Sequence, residues 1–321
     1  NSLKNYSTKT FVSDLIAGVI VGVVALPLAI AFAIASGVSP ERGLFTAIIA
    51  GFCISFFGGS KVQIGGPTGA FAVIVYGVVN KFGYEGLVIA TIMAGILLIL
   101  LGAFKMGGLV KFIPYTIVTG FTAGIAVTIL TGQIGDFFGL TTGKMPGDFV
   151  GKIKVYIESF NTINWYSFGI AAISLIVIFL WPKINKKVPG SLIVIILATV
   201  VSLILEHTLG WKTDTIGSRY GAIPSSLPAP TIPGINLELI KQLFPTAISI
   251  AVLAAIESLL SAVVADGMIG SKHDSNTELI AQGIANIASP IFGGIPATGA
   301  IARTATNIKN GGKTPIAGII H

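Results

Sequence analysis

Two short stretches place backbone chemistry inside apolar segments of this sequence. One reads Gly65-Gly66-Pro67-Thr68-Gly69-Ala70-Phe71-Ala72; the other reads Gly293-Gly294-Ile295-Pro296-Ala297-Thr298-Gly299-Ala300-Ile301-Ala302. A Phe-Gly-Gly opens each, at Phe57-Gly58-Gly59 and at Phe292-Gly293-Gly294. Proline suits the first turn of a helix, so both stretches predict helices that start part-way along a segment. The open end of such a helix presents unpaired amides and the positive pole of its dipole, which together attract an anion. Chance and tight helix packing are the competing accounts, because the chain holds 40 glycines and small residues let helices approach closely.

Two charges stand beside these stretches. Glu257 lies in Ala254-Ala255-Ile256-Glu257-Ser258-Leu259-Leu260-Ser261, deep inside an apolar run. A charge at the centre of a spanning helix costs about 2.5–3.5 kcal/mol on insertion scales, so such a residue faces a cavity or a partner. That cost suits Glu257 to taking up and releasing a proton; a protonated glutamate bonded to a neighbouring helix is the structural alternative. Arg303 follows the second stretch directly. Its guanidinium cannot be neutralised, and at depth it needs an anionic partner: Glu257, a bound anion, or each in turn. Otherwise it snorkels to the interface. Ser261 is one turn beyond Glu257 on the same face, placed to bind a coupling ion or orient the carboxylate. Pro27 predicts a kink in the first helix that frees a carbonyl, with Phe32 one turn past it, either lining the site or packing.

The elements that position these residues follow from composition. Of 321 residues, 53% are hydrophobic and 10% charged, against about 25% charged in soluble domains. Uncharged runs cover 15–40, 43–60, 62–80, 86–104, 112–135, 159–182, 188–205 and 279–302, and Glu257 is the sole charge in 242–265. Crossing the hydrocarbon takes about 20 helical residues, and these runs are too long for barrel strands. An all-α polytopic membrane protein is the reading. The polar stretch through Thr10 is expected at the interface.

Charge placement sets the expected orientation. With a cytoplasmic N-terminus, Lys4, Lys9, Lys61, Lys105, Lys111, Lys183, Lys186, Lys187, Lys272, Lys309 and Lys313 fall inside. Among short connections only Arg42 and Lys81 fall outside; the other outer basic residues sit in the long loops 136–158 and 206–241. The formal net charge of +7 is explained by these loops, with no basic-aromatic platform for nucleic acid. Cys53 is the only cysteine, and the three histidines show no metal-ligand spacing. No nucleophile–base arrangement marks an enzyme.

The residues also carry a family resemblance. Leu26-Pro27-Leu28-Ala29-Ile30-Ala31-Phe32-Ala33 with Arg42-Gly43-Leu44-Phe45 resembles the first two helices of the SulP anion transporters. Gly66-Pro67-Thr68 resembles their third helix, and Gly293 to Asn307 with Gly311-Gly312-Lys313-Thr314-Pro315 their tenth. The resemblance implies a fourteen-helix fold of two seven-helix inverted repeats, with core and gate subdomains and half-helices at the third and tenth segments. Residues 1–207 would form the first repeat and 208–321 part of the second, with the last helices and a STAS domain lying beyond the chain. Without them the fragment is not expected to transport.

Carried over by position, the resemblance implies substrate contacts at Phe32, Thr68, Gly69, Ala70, Thr298, Gly299, Ala300, Ile301 and Arg303. Glu257 and Ser261 would hold the coupling ion, and the intact protein would be a homodimer in the inner membrane, without an organic cofactor. Leu28 stands where many members have Gln. Glu257 with Arg303 looks more like the proton-coupled bacterial members than the sodium-coupled bicarbonate branch, which carries Asp, Thr and a small residue at Glu257, Ser261 and Arg303. The expectation is a carrier of sulfate, bicarbonate or a dicarboxylate, coupled to H+, with Na+ the other candidate. A passive anion channel and a nucleobase:proton symporter of the same fold are the alternatives.

Overall fold

A computed structural model describes residues 6–108, 115–143, 145–185, 190–234 and 237–321. Lys4, Lys111, Lys144, Lys186 and Lys187, which enter the charge count, lie outside them. Helix α1 (Thr8–Ala35) starts where Ser7 Oγ accepts the Thr10 amide, and it stays helical through Pro27. Helix α2 (Pro40–Phe57) has proline in its first turn. Helix α3 (Ala72–Ala103) is two helices joined at Gly83, whose φ of 69° and ψ of −175° interrupt the spiral. Its leading part, from Gly69, is about 14 residues or roughly 20 Å long at 1.5 Å per residue, short of a full crossing. There follow α4 (Tyr115–Phe138), α5 (Phe149–Glu158), α6 (Trp165–Ile184), α7 (Gly190–Leu209) and α8 (Ile216–Tyr220). The last four are α9 (Leu237–Ile269), α10 (Ser275–Ile291), α11 (Ile301–Lys309) and α12 (Pro315–Ile320). Six of the described helices, with α3 counted whole, are long and apolar enough to cross a membrane.

Two apolar runs that composition marks as spans are not continuous helices. In the run 62–80 the helix begins only at the 3-10 turn Gly69–Phe71. In 279–302, α10 stops at Ile291 and the chain is non-helical until α11. Proline contributes locally: Gly66 and Ile295 precede prolines, a position biased away from the helical region. The long connections 136–158 and 206–241 contain the helices α5 and α8.

The chain forms two compact units, residues 1–118 with 224–321, and residues 119–223. In the second, Asn164 caps α6, Arg219 bridges Asp136 at 2.7 Å and Asp214 at 2.9 Å, and Tyr166 stacks on Trp211. The first unit contains every candidate site residue. Its central packing is α3 against α10, where Gly95 and Gly283 face one another. A Cβ on Gly95 would stand 2.7 Å from the Gly283 carbonyl oxygen, and one on Gly283 would stand 2.5 Å from that of Gly95. Backbone meets backbone there, as small residues permit between membrane helices. Ala50, Cys53 and Ile54 of α2 close against Ala285 of α10 and Ala297.

Candidate functional site

The two interruptions meet. Gly65–Gly66 (β1) and Thr298–Gly299 (β2) form an antiparallel ladder, Gly65 opposite Gly299 and Gly66 opposite Thr298. The Ala300 amide extends it, donating to the Ile64 carbonyl at 2.8 Å. Both prolines sit outside the ladder, where their missing N–H removes no rung. Contrary to the expectation from sequence, neither opens a helix: Pro67 precedes the turn at Gly69, and Pro296 lies upstream of β2. At two of its glycines the crossing leaves no room for a side chain. A Cβ on Gly66, whose φ is 146°, would stand 2.5 Å from Arg303 Nη1; one on Gly299 would stand 1.8 Å from Gln63 Nε2.

Past the ladder each chain turns into a helix, one through Thr68 into Gly69–Phe71 and the other through Ala300 into α11. Among the described residues, the amides of Gly69, Ala70, Ile301 and Ala302 meet no hydrogen-bond acceptor. Thr68 Oγ1 donates to Glu257 Oε2 at 2.9 Å, tying the first break to the middle of α9. Glu257 is half-buried.

Arg303 is 3% exposed, so it does not snorkel. Its Nη1 donates to the Gly65 carbonyl at 3.4 Å and its Nη2 to the Pro67 carbonyl. Among the described residues it makes no ion pair. Glu257, offered by the sequence as its partner, makes no salt-bridge contact with it, although the two charges attract one another across the site. The guanidinium instead grips the opposite break by its backbone, which fits a rigid fork with several donors.

The other expected site residues divide. Ser261 is fully buried, but its hydroxyl donates to Thr304 Oγ1 at 3.3 Å rather than reaching the Glu257 carboxylate. Thr304 Oγ1 also accepts the Ile64 amide at 3.0 Å. Thr298 is fully buried and donates to the Ala254 carbonyl at 2.9 Å, so its hydroxyl is committed to α9. Gly69, Ala70, Gly299 and Ala300 are buried at the two helix starts, and Ile301 is 39% exposed. Phe32 is half-buried on α1, and no described contact joins its ring to either break.

Several residues that hold the site in place have no role in the sequence reading. Gln63 Nε2 donates to the Ser258 carbonyl at 3.2 Å, and Asn307 Nδ2 to the Val62 carbonyl at 2.9 Å. Asn286 clasps Ala297 from both sides: its Nδ2 donates to the carbonyl at 2.8 Å, and its Oδ1 accepts the amide at 2.9 Å. A signal for Asn286 exists, since Glu278, Gln282 and Asn286 recur every four residues and line one helical face. Among the described residues, no three His, Cys, Asp or Glu side chains are grouped to hold a metal.

Open amides at two converging helix starts, a hydroxyl bonded to a carboxylate and a buried guanidinium make a local environment suited to a small anion. The chain as a whole has known relatives. The putative sulfate transporter YvdB of Bacillus subtilis (strain 168) is 52% identical over 318 residues, covering 99% of this chain and 59% of that protein. The bicarbonate transporter BicA of Picosynechococcus sp. is 32% identical over 297 residues, covering 89% of this chain and 51% of that one. The chain thus spans between half and three-fifths of these curated relatives. The solved transmembrane domain of a cyanobacterium BicA superposes with a TM-score of 0.85 at 32% identity, over 98% of this chain and 80% of that one. A murine Solute Carrier 26 family anion transporter in the inward-facing state shares the fold, with a TM-score of 0.82 at 20% identity over 99% of this chain and 56% of that one. The model of the sulfate permease family matches residues 11–321. This multi-pass membrane chain belongs to the sulfate permease family.

Proposed function

We propose that the intact protein is a secondary active carrier of small inorganic or carboxylate anions, with sulfate, bicarbonate and dicarboxylates as the candidate substrates. Transport proceeds by alternating access and is coupled to protons. The sulfate and bicarbonate transporters among its relatives support the substrate class.

The observation that carries the coupling is the 2.9 Å bond from Thr68 to Glu257. A carboxylate this close to the open amides competes with an anion for the same positive field. Protonating Glu257 removes that competition, so proton and anion bind together and leave together, a coupling of the reciprocal kind that linkage requires. The amides of Gly69, Ala70, Ile301 and Ala302 receive the anion, Phe32 borders it, and Arg303 supplies positive charge from behind the ladder. Sodium is the other candidate coupling ion, with Ser261 one turn beyond Glu257 on α9.

The reading extends to the whole molecule. Two inverted seven-helix repeats, residues 1–207 and 208 onward, place the two breaks as half-helices near mid-membrane. The N-terminus is cytoplasmic, the membrane is the cell's inner membrane, and the intact protein is a STAS-bearing homodimer.

The test is uptake of radiolabelled sulfate, bicarbonate and succinate by the intact protein in proteoliposomes. Acid outside should drive saturable accumulation of at least one anion, and preloaded cold anion should drive counterflow. Unsaturable flux without counterflow would make it a channel and sink the carrier reading.

A further inference from the structure

Two charges outside the site hold the heads of the two breaks, and each comes from the helix that leads into the other break. Glu278, fully buried in the first turn of α10, accepts the Gly59 amide at 3.0 Å and the Ser60 amide at 3.2 Å on Oε2. Its Oε1 accepts Gln282 Nε2 at 2.9 Å, which fixes the carboxylate's direction. At the other end Arg42, in the first turn of α2, donates from Nη1 to the Gly293 carbonyl at 3.0 Å. The guanidinium carbon lies 3.4 Å from the centroid of the Tyr84 ring, and Tyr84 donates its hydroxyl to the Gly294 carbonyl at 2.7 Å. Thr46, one turn further, accepts the Ile295 amide at 2.7 Å.

The arrangement is reciprocal. Helix α2 runs into the first break and grips the second; α10 runs into the second and grips the first. The pair is therefore antiparallel, and its lengths match at 18 and 17 residues, about 27 and 26 Å. The signs follow the backbone each meets: amides turn toward the carboxylate, carbonyls toward the guanidinium and phenol. Charge-assisted bonds of this kind are about twice as strong as neutral ones.

We propose that Glu278 and Arg42 are positioning residues for the anion site. From opposite ends of one helix pair they fix how far each break advances before the β1–β2 crossing, and so where the open amides at 69–70 and 301–302 come to rest. Because the ladder joins the breaks, slack released at either head reaches the same crossing. Losing one grip already frees the register, and losing the second adds little. The proposal rests on the transport reading above.

The test measures uptake against anion concentration in the intact protein, using whichever labelled anion the wild type carries. Glu278→Gln and Arg42→Gln should each raise KM about tenfold at a wild-type maximal rate, the sign of lost binding rather than lost turnover. The double variant should also stand near tenfold. Independent losses so far apart would instead multiply toward a hundredfold. Asp14→Asn, a buried carboxylate that ties α1 to Thr314 and neither break, should leave KM unchanged. Where a charge variant does not fold, Tyr84→Phe and Gln282→Ala carry the same cycle. Folded single variants with unaltered KM, or a double that multiplies, overturn the proposal while wild-type uptake stands. A wild type without saturable uptake sinks the transport reading, and this proposal falls with it.

Discussion

Thr68 and Glu257, 189 residues apart in sequence, are joined by a 2.9 Å hydrogen bond from hydroxyl to carboxylate. That bond connects the first break to α9. Glu257→Gln keeps an acceptor for Thr68 while removing the titratable group. Uptake should then stop responding to an imposed proton gradient, while counterflow persists. An undiminished response to the gradient would take Glu257 out of the coupling.

Arg303 holds two backbone carbonyls of the opposite break from a buried position. Arg303→Ala leaves both without that donor, and an abandoned buried acceptor costs about 1–3 kcal/mol. The variant should unfold at a lower temperature and bind anion at least about tenfold more weakly. Lysine should rescue poorly, because an ammonium cannot reproduce the fork. Thermal unfolding and concentration-dependent uptake check the two effects, and a fully functional lysine variant would contradict the account.

Glycine at the ladder is a steric requirement. Gly66→Ala and Gly299→Ala each drive a methyl into a buried side chain and should cost about 1–3 kcal/mol of stability. Gly77→Ala, where a Cβ would meet nothing within 4 Å, should be neutral or mildly stabilising. Comparing the three unfolding midpoints in detergent decides this.

Asp274 caps α10, its Oδ1 accepting the Asn276 and Thr277 amides at 3.0 Å. The Thr277 amide, first among the causes, holds this carboxyl below its ordinary range. The cap's contribution is therefore complete above the unfolded-state value near 3.9 and is lost as pH falls through the lower folded one. Asp274→Ala should lose about 1 kcal/mol at neutral pH. The difference from wild type should close in strong acid, and a gap independent of pH would exclude the cap as its cause.

Spanning helices were legible because length and apolarity are local properties. The runs at 15–40, 43–60, 159–182, 188–205 and 242–265 overlap α1, α2, α6, α7 and α9. The breaks were legible because proline and glycine act on their own backbone. Where those prolines would sit was not, since the ladder that moves each helix start downstream pairs residues more than two hundred positions apart. Partners far off in sequence also hid Gln63 and Thr304, 195 and 240 positions from the backbone they meet; Asn286 meets Ala297 only 11 positions on, but across a break whose course the sequence does not give. Arg42 read as a loop charge and Glu278 went unmarked just ahead of the run 279–302, because neither shows its partner in the linear order. Ser261 follows Glu257 by one turn of α9, but its hydroxyl answers to Thr304, a contact no helical spacing predicts.

At the crossing of Gly65–Gly66 with Thr298–Gly299, the rungs are made by main-chain atoms alone. Main-chain groups do not change when codons do. Residues that fringe the crossing, such as Thr68, Glu257 and Ile301, can therefore be exchanged without dismantling what holds the two strands together. Under the proposed function, this lets one skeleton be retuned to anions of different size and charge by substitutions confined to the rim.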